Sequence, residues 1–180
     1  RMEKVDTLVV DKTGTLTEGR PSVVAIEVAE GFEENDLLRI AASLERSSEH
    51  PLAAAIVKAA EDRALALVEP SGVDQPVGKG IVGVVDDKAI VLGNANFLEE
   101  YDVDLGALAE AADRLRTDGA TAIYIAVSGK AAGVIAIADP VKETTGDALA
   151  ALREAGIKVI MLTGDNRVTA EAIARRLGID

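Results

Sequence analysis

The chain has 180 residues, 31 acidic against 19 basic, for a formal charge of -12, and a pI near 4.6. It holds no Cys, no Trp, one His and four Phe or Tyr, while 48 % of its residues are hydrophobic. This excludes a basic nucleic-acid face, a disulfide scaffold and any thiolate chemistry, and it makes the core one of Ala, Val, Leu and Ile. In chain order, Val5–Asp11 is a short β-branched apolar run, expected as a buried strand, and Asp11–Thr17 a polar, glycine-punctuated loop. A strand follows over Val23–Val28, then two helices, Asn35–Arg46 and Pro51–Arg63, the second with proline in its first turn. Gly80–Val85 and Ala89–Leu92 form a hairpin about Asp86-Asp87-Lys88. Next comes a helix from about Leu105 to Arg116, then a second hairpin, Ala122–Val127 and Ala131–Ala138, turning at Ser128-Gly129-Lys130. Glu143–Ala155 has helical spacing and stops at Gly156; Ile157–Leu162 is a second apolar strand; Val168–Leu177 is a final helix ending at Gly178.

The two ends of the chain have a strand–helix–strand rhythm and the middle an α+β rhythm. The expected architecture is therefore α/β: a parallel-sheet domain from residues 1–20 and 134–180, interrupted by an inserted α+β domain, 21–133, with an antiparallel sheet and flanking helices. Charge follows the same division. Ser22–Gly133 carries 20 acidic and 9 basic residues, so almost all the acidity lies in the insert, where it reads first as a solvated surface. No uncharged apolar run approaches the ~18 to 20 residues that cross a bilayer, and no signal peptide is visible, so a soluble, intracellular type of chain without direct membrane insertion is expected.

Chemistry concentrates at Asp11-Lys12-Thr13-Gly14-Thr15-Leu16-Thr17. A carboxylate delivered at the end of a strand, beside hydroxyls and flexible backbone N–H groups, suits nucleophilic attack on a phosphoryl group to give an acyl phosphate. Thr13 stands where phosphatases of this architecture place a second Asp as general acid–base, so the acyl phosphate should be long-lived. This run resembles the phosphorylation signature of P-type ATPases, cation pumps with a haloacid-dehalogenase-like phosphorylation domain. Thr163-Gly164-Asp165 resembles their second phosphorylation motif, which implies Thr163 near the phosphoryl oxygens and Asp165 at the domain hinge. The resemblance spans the whole chain, since that family inserts a nucleotide-binding domain between these motifs.

Within the insert, Ser48-Glu49-His50-Pro51-Leu52, Gly78-Lys79-Gly80-Ile81 and Gly93-Asn94 resemble the nucleotide site of heavy-metal pumps, copper-type ones in particular. The resemblance implies that Glu49 contacts the adenine amino edge and His50 orients or stacks on the base. It also implies that Gly78 and Gly80 let the backbone approach the nucleotide, with Ile81, Gly93 and Asn94 completing the pocket. Each role suits the residue type: a carboxylate accepts from an exocyclic amine, imidazole is flat, and glycine lacks the Cβ that would block a ligand. Lys79 departs from the acidic residue often found between these glycines. ATP and Mg²⁺ are the implied cofactors, with Asp11 and the Thr13 carbonyl forming part of the Mg²⁺ site and Lys12 offsetting charge.

The family's downstream Lys and Gly-Asp-Gly-x-Asn-Asp segment are not found after Thr163, nor are membrane helices or an actuator domain. The resemblance therefore implies a piece from the cytoplasmic face of a membrane pump, with an incomplete phosphorylation domain and the membrane and actuator domains as partners. The leading expectation is a Cu(I)-transporting pump whose isolated segment binds ATP without turnover. A zinc- or cadmium-type pump, a nucleotide-binding module without catalysis, and a small phosphatase are the alternatives.

Overall fold

The computed structural model describes residues 5–179; residues 1–4 and 180, which fall within the expected segments 1–20 and 134–180, lie outside the described residues. The chain divides into two compact units. One comprises residues up to Arg20, Arg116–Ala120 and Asp139 onward; the other comprises Pro21–Leu115 and Thr121–Ala138.

In the first unit, β1 (Thr7–Asp11) and β8 (Lys158–Leu162) pair in parallel, Thr7 opposite Lys158 and Asp11 opposite Leu162. Parallel pairing needs a long crossover, and the intervening chain supplies it. Helix α5 (Thr145–Glu154) precedes β8, and α6 (Arg167–Leu177) follows it. Both helices end as glycine predicts: Gly156 and Gly178 take positive φ, 73° and 65°, the left-handed conformation that terminates a helix. Leu16, Leu149 and Ile179 are the buried centre here, with Val10, Val159 and Met161 packed against them. Alternate strand residues turn the other way, so Val9, Ile160 and Leu162 are exposed.

The second unit is built on a six-stranded antiparallel sheet in the order β2-β7-β6-β5-β4-β3. Its strands are β2 (Ser22–Val28), β3 (Ser71–Asp74), β4 (Gly80–Val85), β5 (Lys88–Gly93), β6 (Thr121–Val127) and β7 (Lys130–Ala138). β4 and β5 turn at Asp86-Asp87, and β6 and β7 at Ser128-Gly129; all four residues have positive φ. These are the two-residue turns whose twist matches that of the flanking strands, so each is one residue shorter than the sequence suggests. β7 runs unbroken across residues 133 and 134, and the unit ends at Ala138.

The period of two along β6 explains why both faces of this sheet are covered. Ile123, Ile125 and Val127 face the core under α1 (Glu34–Glu45) and α2 (Pro51–Asp62), where Leu37, Leu38, Leu44 and Ile56 are inaccessible. Ala122, Tyr124 and Ala126 face a second core with Phe97 and Leu98 of α3 (Ala95–Glu99) and Leu108 and Ala112 of α4 (Leu108–Thr117). Three of the four aromatics serve this second core: Phe97 and Tyr124 are buried, and Tyr101 meets Phe97 edge to face at 5.3 Å, while Phe32 packs against the first. Two elements carry no sequence signal. β3, Ser-Gly-Val-Asp, is a fully exposed edge strand without apolar alternation, and α3 is a single short turn capped by Asn94.

Candidate functional site

Asp11 ends β1 and is exposed at the carboxyl edge of the parallel pair, next to Leu162, which leads β8 into Thr163-Gly164-Asp165. The register thus gathers the two motifs, 152 residues apart in sequence, at one edge. After Asp11 the chain makes a tight turn over residues 12–16, allowed by Gly14 at φ 76°. Lys12 is buried, 7 % exposed, and its ammonium is ion-paired with the Asp165 carboxylate. That pair binds the first motif to the second; Lys12 is committed to a protein carboxylate rather than left for a ligand. The Asp165 N–H donates to Thr163 Oγ1 (3.1 Å), fixing the start of the second motif.

The turn is held from below. Buried Thr17 accepts the Gly14 N–H at its hydroxyl (3.2 Å) and itself donates to Asp139 Oδ2. The Gly14 carbonyl accepts from Lys142 Nζ (2.9 Å), and the Leu16 carbonyl from Thr145 Oγ1 (2.8 Å). The side chains of Asp11 and Thr13 remain exposed on the outside of this fixed turn. Among the described residues no three His, Cys, Asp or Glu side chains gather as a metal-holding group.

In the second unit, a cavity of about 580 Å³ opens between the α1–α2 connection, the loop before β4, and the ends of β5 and β6. Of the residues singled out from sequence, His50, Gly78, Gly80, Gly93 and Asn94 line it, although three separate chain segments supply them. Glu49 and Ile81 do not. Glu49 is exposed on the preceding loop, and Ile81 points into the core at 1 % exposure. The carboxylate on the wall is Glu45. It is 8 % exposed, its Oε2 has no hydrogen-bond partner, and burial raises its pKa above the ordinary range, a rise that its bond with Ser48 partly offsets. Glu45 is the site residue the sequence does not reveal, because it sits in the last turn of α1 amid apolar neighbours and outside the Ser-Glu-His-Pro run.

The local reasons for the other side chains are clear. His50 caps α2: its Nδ1 accepts the Leu52 N–H (3.2 Å), which leaves Nε2 on the open side of the ring. Asn94 caps α3 by accepting the Phe97 N–H (2.9 Å), and its amide reaches the Gly78 carbonyl (3.5 Å). Gly80 and Gly93 face each other across the β4–β5 ladder. A Cβ on Gly80 would stand 2.1 Å from the Leu92 carbonyl and 2.6 Å from Phe97, and one on Gly93 would stand 2.5 Å from the Lys79 carbonyl. These two glycines are demanded by the packing of the protein itself. Gly78 differs: φ is 75° and nothing lies within 4 Å of its absent Cβ, so the space over it is open at the cavity wall.

A family profile described as haloacid dehalogenase-like hydrolase matches residues 5–180, and the chain belongs to that family of hydrolases. Within it the chain is similar along its whole length to P-type ATPases named for copper and other heavy metals. It is 51 % identical over 180 residues, its whole length, to the silver exporting P-type ATPase of Salmonella typhimurium. It is 48 % identical over the same length to the copper-transporting P-type ATPase of Rhizobium leguminosarum bv. viciae. The chain spans about a fifth of the length of these curated relatives, 22 % and 21 %. A zinc-transporting PIB-type ATPase solved in its E2.Pi state matches 98 % of this chain and 28 % of its own, with TM-score 0.80 and 34 % identity. The catalytic domain of the CPx-ATPase CopB-B, studied for conformational changes upon nucleotide binding, matches 98 % of this chain and 60 % of its own, with TM-score 0.71 and 28 % identity.

Proposed function

We propose that this chain is the ATP-binding and aspartyl-phosphorylation segment of a Cu(I)-transporting pump, the first unit forming its phosphorylation domain and the second, which runs to Ala138 rather than to residue 133, its nucleotide-binding domain. The observation that carries this reading is the cavity of the second unit. It combines a flat imidazole, a bare glycine backbone at Gly78 and a carboxylate oxygen with no partner, a set that matches adenine with its exocyclic amine. His50 stacks on or orients the base, and Gly78, Gly80, Gly93 and Asn94 shape the wall. Glu45 takes the role of amino-group acceptor that the sequence motif suggested for Glu49.

In the first unit an Asp11 carboxylate oxygen attacks the γ-phosphorus of ATP. The bond from that phosphorus to the β,γ-bridging oxygen breaks, ADP departs, and an acyl phosphate remains on Asp11. Lys12 keeps Asp165 in place at the hinge motif, and Thr163 and Gly164 contact the phosphoryl oxygens. Mg²⁺ suits the donors present, the Asp11 carboxylate and the Thr13 carbonyl, because it prefers oxygen and binds through few protein ligands. Once bound, it would offset phosphate charge. Thr13 has no carboxyl group with which to activate water, which supports a persistent acyl phosphate and argues against a phosphatase.

Copper is favoured over zinc because the relatives named for silver and copper are 51 % and 48 % identical, against 34 % for the zinc-transporting structure. The membrane and actuator domains of the longer pump are its partners, at the cytoplasmic face. The chain alone binds ATP without turnover. Backbone NMR during titration with a non-hydrolysable ATP analogue tests the site: shifts are expected at His50, Gly80 and Asn94, and their absence overturns it. Incubation with γ-labelled ATP is expected to leave no acid-stable, hydroxylamine-sensitive label on Asp11; such a label would show that the chain phosphorylates itself.

A further inference from the structure

We infer that Lys79 is a phosphate-contacting residue of this cavity, held in reserve by an ion pair with Glu100 and released to the ligand when a nucleotide with phosphates binds. The inference rests on the nucleotide reading above and goes on to say which part of the ligand this chain selects.

The cavity wall carries one carboxylate, Glu45, one imidazole, His50, and one ammonium-bearing residue, Lys79. Lys79 lies between Gly78 and Gly80, and its backbone is fixed on both sides: its N–H donates to the Pro76 carbonyl (3.2 Å), and its carbonyl accepts the Asn94 N–H (3.3 Å). Its Cα is therefore held at the wall while its stem is free. The ammonium donates to both Glu100 oxygens, at 2.7 and 3.0 Å, with both side chains 48 % exposed.

Such a half-exposed pair is weak in water, so changing partner costs little. A triphosphate offers more charge and more acceptor oxygens than one carboxylate, and lysine, with three donors on a flexible four-carbon stem, can follow it. The surroundings make this cation matter. Ser22–Gly133 holds 20 acidic and 9 basic residues, so the field of this unit opposes a polyanion, and Lys79 is the charge on the wall that counters it. Glu100 competes for the same ammonium and so sets the affinity for phosphate without touching the base.

Calorimetric titration of the full chain with ATP and, separately, with adenosine tests the proposal. Lys79→Gln is expected to weaken ATP about tenfold, the size of one charge-assisted hydrogen bond at an open site, and to leave adenosine unchanged. Glu100→Gln is expected to tighten ATP by about threefold, again without effect on adenosine. Both effects should shrink as salt is raised. Lys79→Arg is expected to retain ATP affinity. Equal loss of ATP and adenosine affinity in Lys79→Gln, or no loss of either, would overturn the role proposed for Lys79 while leaving the nucleotide cavity standing. Failure of the unaltered chain to bind either ligand would remove the nucleotide reading and this inference with it.

Discussion

Glu45 joins stability and the proposed binding of the base in one side chain. A carboxylate kept from water with one oxygen unpartnered opposes its own ionisation, and the native state therefore holds its proton to higher pH than the unfolded chain does. Between the ordinary carboxylate value and the raised one, the native state binds more protons, so stability falls as pH rises through that window. Glu45→Gln removes the dependence. It is expected to raise stability at pH 7 by about 1 kcal/mol in thermal unfolding and to flatten its slope above the ordinary carboxylate range, while weakening ATP. Greater stability with unchanged ATP affinity would refute the role of Glu45 at the base. His50 likewise has two separable duties, the cap it makes on α2 and the base contact proposed above. His50→Asn keeps a good cap, so stability should change by less than about 0.5 kcal/mol, whereas His50→Ala should lose about 1 kcal/mol; both should weaken ATP. Circular-dichroism melts alongside calorimetry separate the two effects.

At the scale of elements, the β4–β5 hairpin carries the site on a ladder too close for side chains. The Gly80–Gly93 pair lets Phe97 pack beneath it, and the hairpin, α3 and the cavity wall are thereby one packed piece. Gly80→Ala is expected to cost about 2–3 kcal/mol in denaturant unfolding, because the nearest obstacle is backbone and does not move aside. Gly78→Ala should cost only about 1 kcal/mol, the strain of a left-handed residue, so its effect should appear mainly in ligand affinity. The sequence motif treats these glycines alike, whereas the structure gives them different reasons.

Over the whole molecule, the two units differ in how much they bury. The second has continuous cores on both faces of its sheet, while the first is centred on Leu16, Leu149 and Ile179, with Val9 and Leu162 exposed. Two transitions are expected in calorimetry, the first unit melting lower. Leu149→Ala should lower the first transition and Leu38→Ala the second, each by about 2–5 kcal/mol. A single transition shifted by both changes would refute this independence. Much of this architecture was legible in the sequence. The period of two in β6, the caps at Pro51, Gly156 and Gly178, and the concentration of acidity in the middle of the chain are local signals, fixed by backbone geometry and solvation. So was the Asp11–Thr17 run, a strand end passing into a polar turn punctuated by Gly14. Partnership across sequence was not legible. Only the folded chain commits Lys12 to Asp165, places Glu45 rather than Glu49 on the cavity wall, sends Ile81 into the core and sets Lys79 against Glu100. These outcomes depend on which side chains meet after helix and sheet have packed, and residue spacing along one chain does not contain that distance.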